Sequence, residues 1–178
     1  NRDGSFRSVA AAGDMAADRP YFIASVTKLY VSALILVLMN EGKLGLDDPV
    51  VRYLGEERLR GLHVVSGVDH TARITLRHLL SNQSGLRDYF YYGDGGDNAV
   101  TALNERDEAW PLDRVIERVK GLKPLYEPGK KGKVNYSDTN FRLLGGVIEA
   151  VTGMPVGDAF RERLFKPLGL KRTFAYDG

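Results

Sequence analysis

Ser25 and Lys28 stand three positions apart in the run Ile23-Ala24-Ser25-Val26-Thr27-Lys28. On a helix, residues i and i+3 share a face one turn apart, which brings a lysine amine within reach of a serine hydroxyl. A hydroxyl beside an amine base is a pairing suited to nucleophilic attack on a carbonyl carbon. The same serine can equally be a plain helix cap, because serine is a favoured N-cap. A capping serine is commonly followed three residues on by glutamate or glutamine. Here a lysine holds that place, against the positive end of the helix dipole and inside a segment that is otherwise apolar. Burial and the dipole both predict a Lys28 pKa below the ordinary lysine value, toward a neutral amine able to accept a proton. A break in a local stability rule of this kind marks a candidate site.

Two further stretches carry polar groups in suggestive places. Tyr136-Ser137-Asp138-Thr139-Asn140 follows the Pro128-Gly129 loop and leads into a strongly periodic segment, so Tyr136 falls at a loop-to-helix junction. There a phenol can face a cleft, or it can be a packing tyrosine followed by an aspartate N-cap, Asp138. The run from Thr75 to Tyr89 reads only as a short helix followed by the polar turn Ser81-Asn82-Gln83-Ser84-Gly85. The three histidines offer little. His78 is read as structural, while His63 and His70 are read as surface or loop residues, too isolated for a zinc site. Asn82-Gln83-Ser84-Gly85 lacks the spacing of a nucleophile elbow.

The elements that must position these groups are mostly helices. Ser25 to about Glu41 is apolar nearly all round, as a central helix is, with Gly42 at the C-terminal cap position. Leu46-Asp47-Asp48-Pro49-Val50 predicts a turn into a short helix with an aspartate cap and Pro49 first. Thr75–Leu80 and Leu112–Val119 are expected as helices, and Lys123–Lys133 as loop. A helix is expected from an Asp138 cap to a stop at Gly153, and another over Met154–Leu164. Strand-like patterns occur at the two ends only, over residues 5–12 and Lys171–Tyr176, and the Gly- and Asp-rich stretch 90–110 reads as a mobile excursion.

The bulk properties narrow the classes. The 178 residues, with 43% hydrophobic and 27% charged, describe an ordinary globular chain. Twenty-five basic against 23 acidic side chains leave a net charge of +2, which makes no electrostatic case for nucleic acid or an anionic membrane. The basic loop Lys130-Lys131-Gly132-Lys133 lacks interleaved aromatics and reads as solvated. No cysteine is present, which excludes disulfides and thiolate metal sites. The longest apolar run, Leu29–Met39, is far short of the roughly 20 residues a span needs. The polar Asn1–Ser5 start is compatible with periplasmic, extracellular and cytoplasmic locations alike.

Several blocks together resemble the β-lactamase-related serine hydrolases, the family of class C β-lactamases, D-alanyl-D-alanine carboxypeptidases, D-amino-acid peptidases and esterases. They are Ile23–Lys28, Glu41–Leu44 with Asp47–Val50, Thr75–Tyr89, Glu127-Pro128-Gly129, Tyr136–Asn140, Leu143-Leu144-Gly145 and Phe165–Leu170, in the family's order. The resemblance implies an α/β (α+β) fold with a helical subdomain against an antiparallel sheet, most of that sheet being absent from this chain. It implies one incomplete catalytic domain over 1–178. Residues 1–24 would be sheet-edge strands and loop, 25–165 the nucleophile helix and helical subdomain, and 166–178 a return toward the sheet. Catalysis would run through an acyl-enzyme on Ser25, with Lys28 and Tyr136 sharing its proton and Asp138 and Ser84 binding substrate. No metal or organic cofactor is implied. The expected partners are a small ester, peptide or β-lactam, and a missing C-terminal half or a second chain.

Two departures qualify this picture. The family's tyrosine motif usually ends in asparagine, where this chain has Asp138, an acceptor-only carboxylate. That shifts the expected substrates away from efficient β-lactam hydrolysis toward esters and D-amino-acid peptides. The family's Lys-Thr-Gly or His-x-Gly strand motif does not occur here, so the chain is expected to be a fragment or processed product. The competing expectation is a catalytically inactive penicillin-binding-like module that grips peptides or a partner.

Overall fold

The chain's apolar stretches gather around two long helices. The structure, a computed structural model, describes residues 8–90 and 110–175. A 3-10 turn, Ala24–Val26, runs into α1 (Thr27–Asn40), after which come α2 (Val51–Leu54) and α3 (Glu56–Leu59). The hairpin β1 (Val64–Val65) and β2 (Val68–Asp69) follows, then a 3-10 turn at Thr71–Arg73 and α4 (Leu76–Leu80). The remaining helices are α5 (Leu112–Lys120), α6 (Asp138–Thr152) and α7 (Val156–Phe160), the last passing into a π turn over Arg161–Phe165.

The hub is α6, which packs against α1, α2, α4, α5 and α7. Its buried residues Leu143, Leu144, Val147 and Ile148 recur at helical spacing and form one side of the core. Gly146 lies among them because a Cβ there would stand 2.4 Å from Leu112 Cδ2, so its lack of a side chain is what lets α5 approach. From α1 come Val31, Leu34, Ile35 and Leu38. The opposite face of α1 is also apolar yet exposed: Val26, Leu29 and Leu36 lie on it, with Leu29 68% exposed and Phe22 just ahead at 81%. That face explains why the sequence is apolar nearly all round without the helix being enclosed.

Local chemistry moved several boundaries. Pro49 does not start a helix; it forms an antiparallel bridge with Thr75, and α2 begins two residues later. The Asp48 carboxylate accepts from Gly45 N (2.7 Å) and Arg52 (3.0 Å) instead of capping α2. Thr75 caps α4 in a capping box whose reciprocal partner is His78, the amide of His78 donating to Thr75 Oγ1 at 3.2 Å. Pro155 delays α7 to Val156, since the residue cannot donate within a helix. Strand patterning at the ends is not realised: residues 8–12 and 171–175 form no strand, and residues 1–7 and 176–178 lie outside the described part, as does the expected excursion over 91–109. The strands that do form are β1 and β2, joined by Ser66-Gly67, both at positive φ as a two-residue hairpin turn requires. His63 and His70, expected at the surface or in loops, lie in the loops flanking this hairpin but are buried, with their rings 5.9 Å apart.

Candidate active site

Ser25 lies in the 3-10 turn ahead of α1, directly after Ala24, whose φ of 44° is left-handed for a residue with a side chain. Such a conformation is held only where its surroundings enforce it, and it lifts the following residue out of the chain's regular path. Lys28, one turn on, donates from Nζ to Ser25 Oγ at 3.0 Å. Tyr136, 111 residues away in sequence, donates from Oη to the same oxygen at 2.9 Å. Lys28 Nζ also donates to the Asp138 carboxylate, with which it forms an ion pair, and lies 5.0 Å from the centroid of the Tyr136 ring. Four of the five residues singled out from sequence therefore converge: Ser25, Lys28, Tyr136 and Asp138.

Asp138 is not the helix cap. Ser137 holds the N-cap position, and Asp138 is the first helical residue, which frees its carboxylate for Lys28. This changes the expected electrostatics. Burial lowers the Lys28 pKa as anticipated, but hydrogen bonds and charge from Asp138 and Tyr136 outweigh it, and the amine sits above the ordinary lysine value. The expected lowering of the Lys28 pKa is thus corrected in direction: the contacts with Asp138 and Tyr136 favour the ammonium form.

Ser84 is not brought to the cluster. It is 1% exposed, and its hydroxyl donates to Asn140 Oδ1 at 2.6 Å while accepting from Leu86 N at 3.1 Å. Its proton and one of its two lone pairs are engaged inside the fold, which sets Ser84 apart from the exposed cluster at Ser25. Its role belongs to the polar turn, which proves to be the clamp that sets the start of α6. Asn82 Oδ1 accepts from Ser137 N (3.3 Å) and Asn140 Nδ2 (2.9 Å). Thr139 Oγ1 donates to Arg87 O (2.7 Å) and accepts from Tyr89 N (3.0 Å). Asp88, 2% exposed, accepts from Phe90 N (2.7 Å) and from Asp138 N (3.2 Å). Burial pushes the Asp88 carboxyl above the usual carboxylate range.

The loop carrying Tyr136 is tied to the same turn. Asn135 N donates to Asn82 O, Gly129 N to Gln83 O and Leu125 N to Gly85 O, each at 2.9 Å. Gly85 has φ 77°, and a Cβ on it would lie 2.0 Å from Tyr126 O, so this contact is open to glycine alone. Asn82, Asp88 and Asn140 were not singled out from the sequence. The signal available for Asn82 and Asp88 was the density of short polar side chains in and just after the polar turn.

A cavity of about 440 Å³ opens beside the Lys28–Asp138 pair, walled by Thr27, Val31, Tyr89, Phe141, Gly145 and Phe160 among others. The arrangement offers a hydroxyl with two proton-carrying neighbours, of which Lys28 also lines the recess. Among the described residues no three His, Asp or Glu side chains are grouped to hold a metal ion, and no single helix is long and apolar enough to cross a membrane.

A family model described as Beta-lactamase matches residues 1–177. The chain is 32% identical over 154 residues to a putative D-alanyl-D-alanine carboxypeptidase of Escherichia coli K12, covering 86% of this chain and 33% of that protein. It is 30% identical to Esterase EstB of Burkholderia gladioli, covering 93% and 42%. Among solved structures, a D-stereospecific amidohydrolase from Streptomyces superposes with a TM-score of 0.72 at 34% identity, covering 90% of this chain and 45% of that one. The chain thus spans less than half the length of these relatives.

Proposed function

The chain belongs to the beta-lactamase family, and from that membership we propose that it acts as a serine hydrolase through an acyl-enzyme on Ser25. Its homologues are serine hydrolases, and its fold is β-lactamase/transpeptidase-like. The observation that carries the reading for these residues is the double contact at Ser25 Oγ, from Lys28 Nζ at 3.0 Å and Tyr136 Oη at 2.9 Å. In the reaction, once the Lys28–Tyr136 pair has given up one proton, Ser25 Oγ bonds to the carbonyl carbon of an ester or amide and passes its own proton to that pair. The leaving group departs with a proton returned from that pair. Water then adds to the acyl carbon, gives its proton to the pair, and the Ser25 oxygen recovers one as the acid leaves. The backbone N–H of Ser25 is one donor for the developing oxyanion.

Small esters and D-amino-acid peptides or amides are the proposed substrates, ahead of efficient β-lactam hydrolysis. The relatives' names run in that direction, as an esterase, a D-aminopeptidase and a carboxypeptidase. We read the 178 residues as the nucleophile-bearing part of one catalytic domain. The exposed apolar face of α1 supports a further partner there, a C-terminal half or second chain that brings the rest of the sheet. A module that merely grips peptides has no need of two proton carriers on one hydroxyl.

The test is a stopped-flow assay with p-nitrophenyl acetate on the natural protein carrying this sequence. One equivalent of p-nitrophenol is expected in a burst from wild type and none from Ser25→Ala. Equal release by both proteins overturns the assignment.

A further inference from the structure

Ser25 Oγ accepts a hydrogen bond from Lys28 Nζ and another from Tyr136 Oη. A hydroxyl has two lone pairs, so both are occupied, and the Lys28 amine cannot take the Ser25 proton while it is an ammonium ion. We propose that Asp138 is a positioning residue that, by pairing with the Lys28 amine, retains an extra proton in the Ser25–Lys28–Tyr136 cluster, and that this proton must leave before Ser25 can attack. The proposal rests on the serine hydrolase reading and specifies how that site is regulated by pH.

The geometry assigns this role to Asp138, the carboxylate in direct contact with the Lys28 amine, with Tyr136 contributing in the same direction. Facing Lys28 are Ser25 from its own turn, Asp138 and the Phe141 ring from α6, and Tyr136 from the preceding loop. Behind them, Asp88 and Tyr89 of the polar turn are close enough to be felt electrostatically. Asp88 is buried, spends its oxygens on Phe90 N and Asp138 N, and is pushed toward its neutral form by burial. Asp138 is left as the carboxylate in direct contact with the amine, with both side chains mostly shielded from solvent at 16% and 20% exposure. Pairing at that depth favours the ammonium form and raises the Lys28 pKa, although burial alone would lower it. An asparagine at position 138 would keep an oxygen acceptor for Lys28 at the same place without the charge. Asp138 therefore sets the protonation of the site without touching the reacting atoms.

The experiment is the acylation rate of the natural protein with p-nitrophenyl acetate from pH 5 to 10, in wild type and Asp138→Asn, with Ser25→Ala as the blank. It is paired with the 13Cε shift of Lys28 in lysine-labelled protein, assigned by Lys28→Arg. Wild type is expected to rise with pH. The Asp138→Asn limb should rise at lower pH, so that at a fixed pH on the wild-type limb the variant acylates about tenfold faster. The Lys28 resonance should titrate at lower pH in the variant as well. Superimposable Lys28 titrations in the two proteins overturn the proposal, as do superimposable rate profiles. Should no Ser25-dependent burst occur at any pH, the hydrolase reading fails, and the Lys28 titration alone decides whether Asp138 retains the proton.

Discussion

At the residue scale the account turns on what each polar atom touches. Ser25, Lys28, Tyr136 and Asp138 share one network, while Ser84, of the same chemical type as Ser25, is spent on Asn140 and Leu86. The difference is exposure and partner, which a residue's letter does not carry. Ser84→Ala should leave Asn140 Oδ1 and Leu86 N buried with a partner lost, lowering stability by about 1–3 kcal/mol. Urea unfolding reads that loss, and covalent labelling of Ser25 in the same protein should persist at the wild-type level. Lost labelling with unchanged stability would return Ser84 to the site. Ser-x-x-Lys was legible because both groups lie on one helical turn, whereas the ion pair that reverses the Lys28 expectation joins residues 110 apart and leaves no local trace.

At the element scale, long periodic segments were legible and side-chain-built turns were not. The central helix appeared within two residues of its expected start, and α5 and α6 lie where their apolar spacing placed them. The stretch after α4 reads from sequence only as a polar turn, whereas in the structure Asn82, Ser84 and Asp88 hold the first turn of α6. The hairpin was missed because each strand has two residues, too short for alternation to register, although Ser66-Gly67 is a turn signal. His63, read as a loop residue, is buried there: Nε2 donates to Tyr126 O at 3.0 Å, and Nδ1 meets no partner among the described residues. Burial holds its pKa below the ordinary histidine value. The unfolded chain therefore binds the proton more readily, so this stability is complete above about pH 6.5 and falls as pH drops below it. Urea midpoints between pH 7.5 and 5 should decline in wild type and decline less in His63→Gln; parallel curves would remove His63 from the account.

At the scale of the whole molecule, one hub helix carries the core on its apolar side and two of the four clustered residues at or near its start. α1 does the same from the other direction, burying Val31, Leu34, Ile35 and Leu38 while its first turn holds Lys28 against Ser25. The packing of α1 on α6 is what converts two stretches far apart in sequence into one site. Among the described residues, Leu29 and Leu36 leave one face of α1 apolar and uncovered, and the antiparallel sheet proposed for the rest of the domain would cover it. The central claim, that Ser25 is an activated nucleophile, is tested most directly by the intact mass of the natural protein after exposure to a fluorophosphonate. A single adduct that maps to Ser25 and is absent from Ser25→Ala is expected. An unmodified wild-type mass, or an adduct that survives Ser25→Ala, would contradict it.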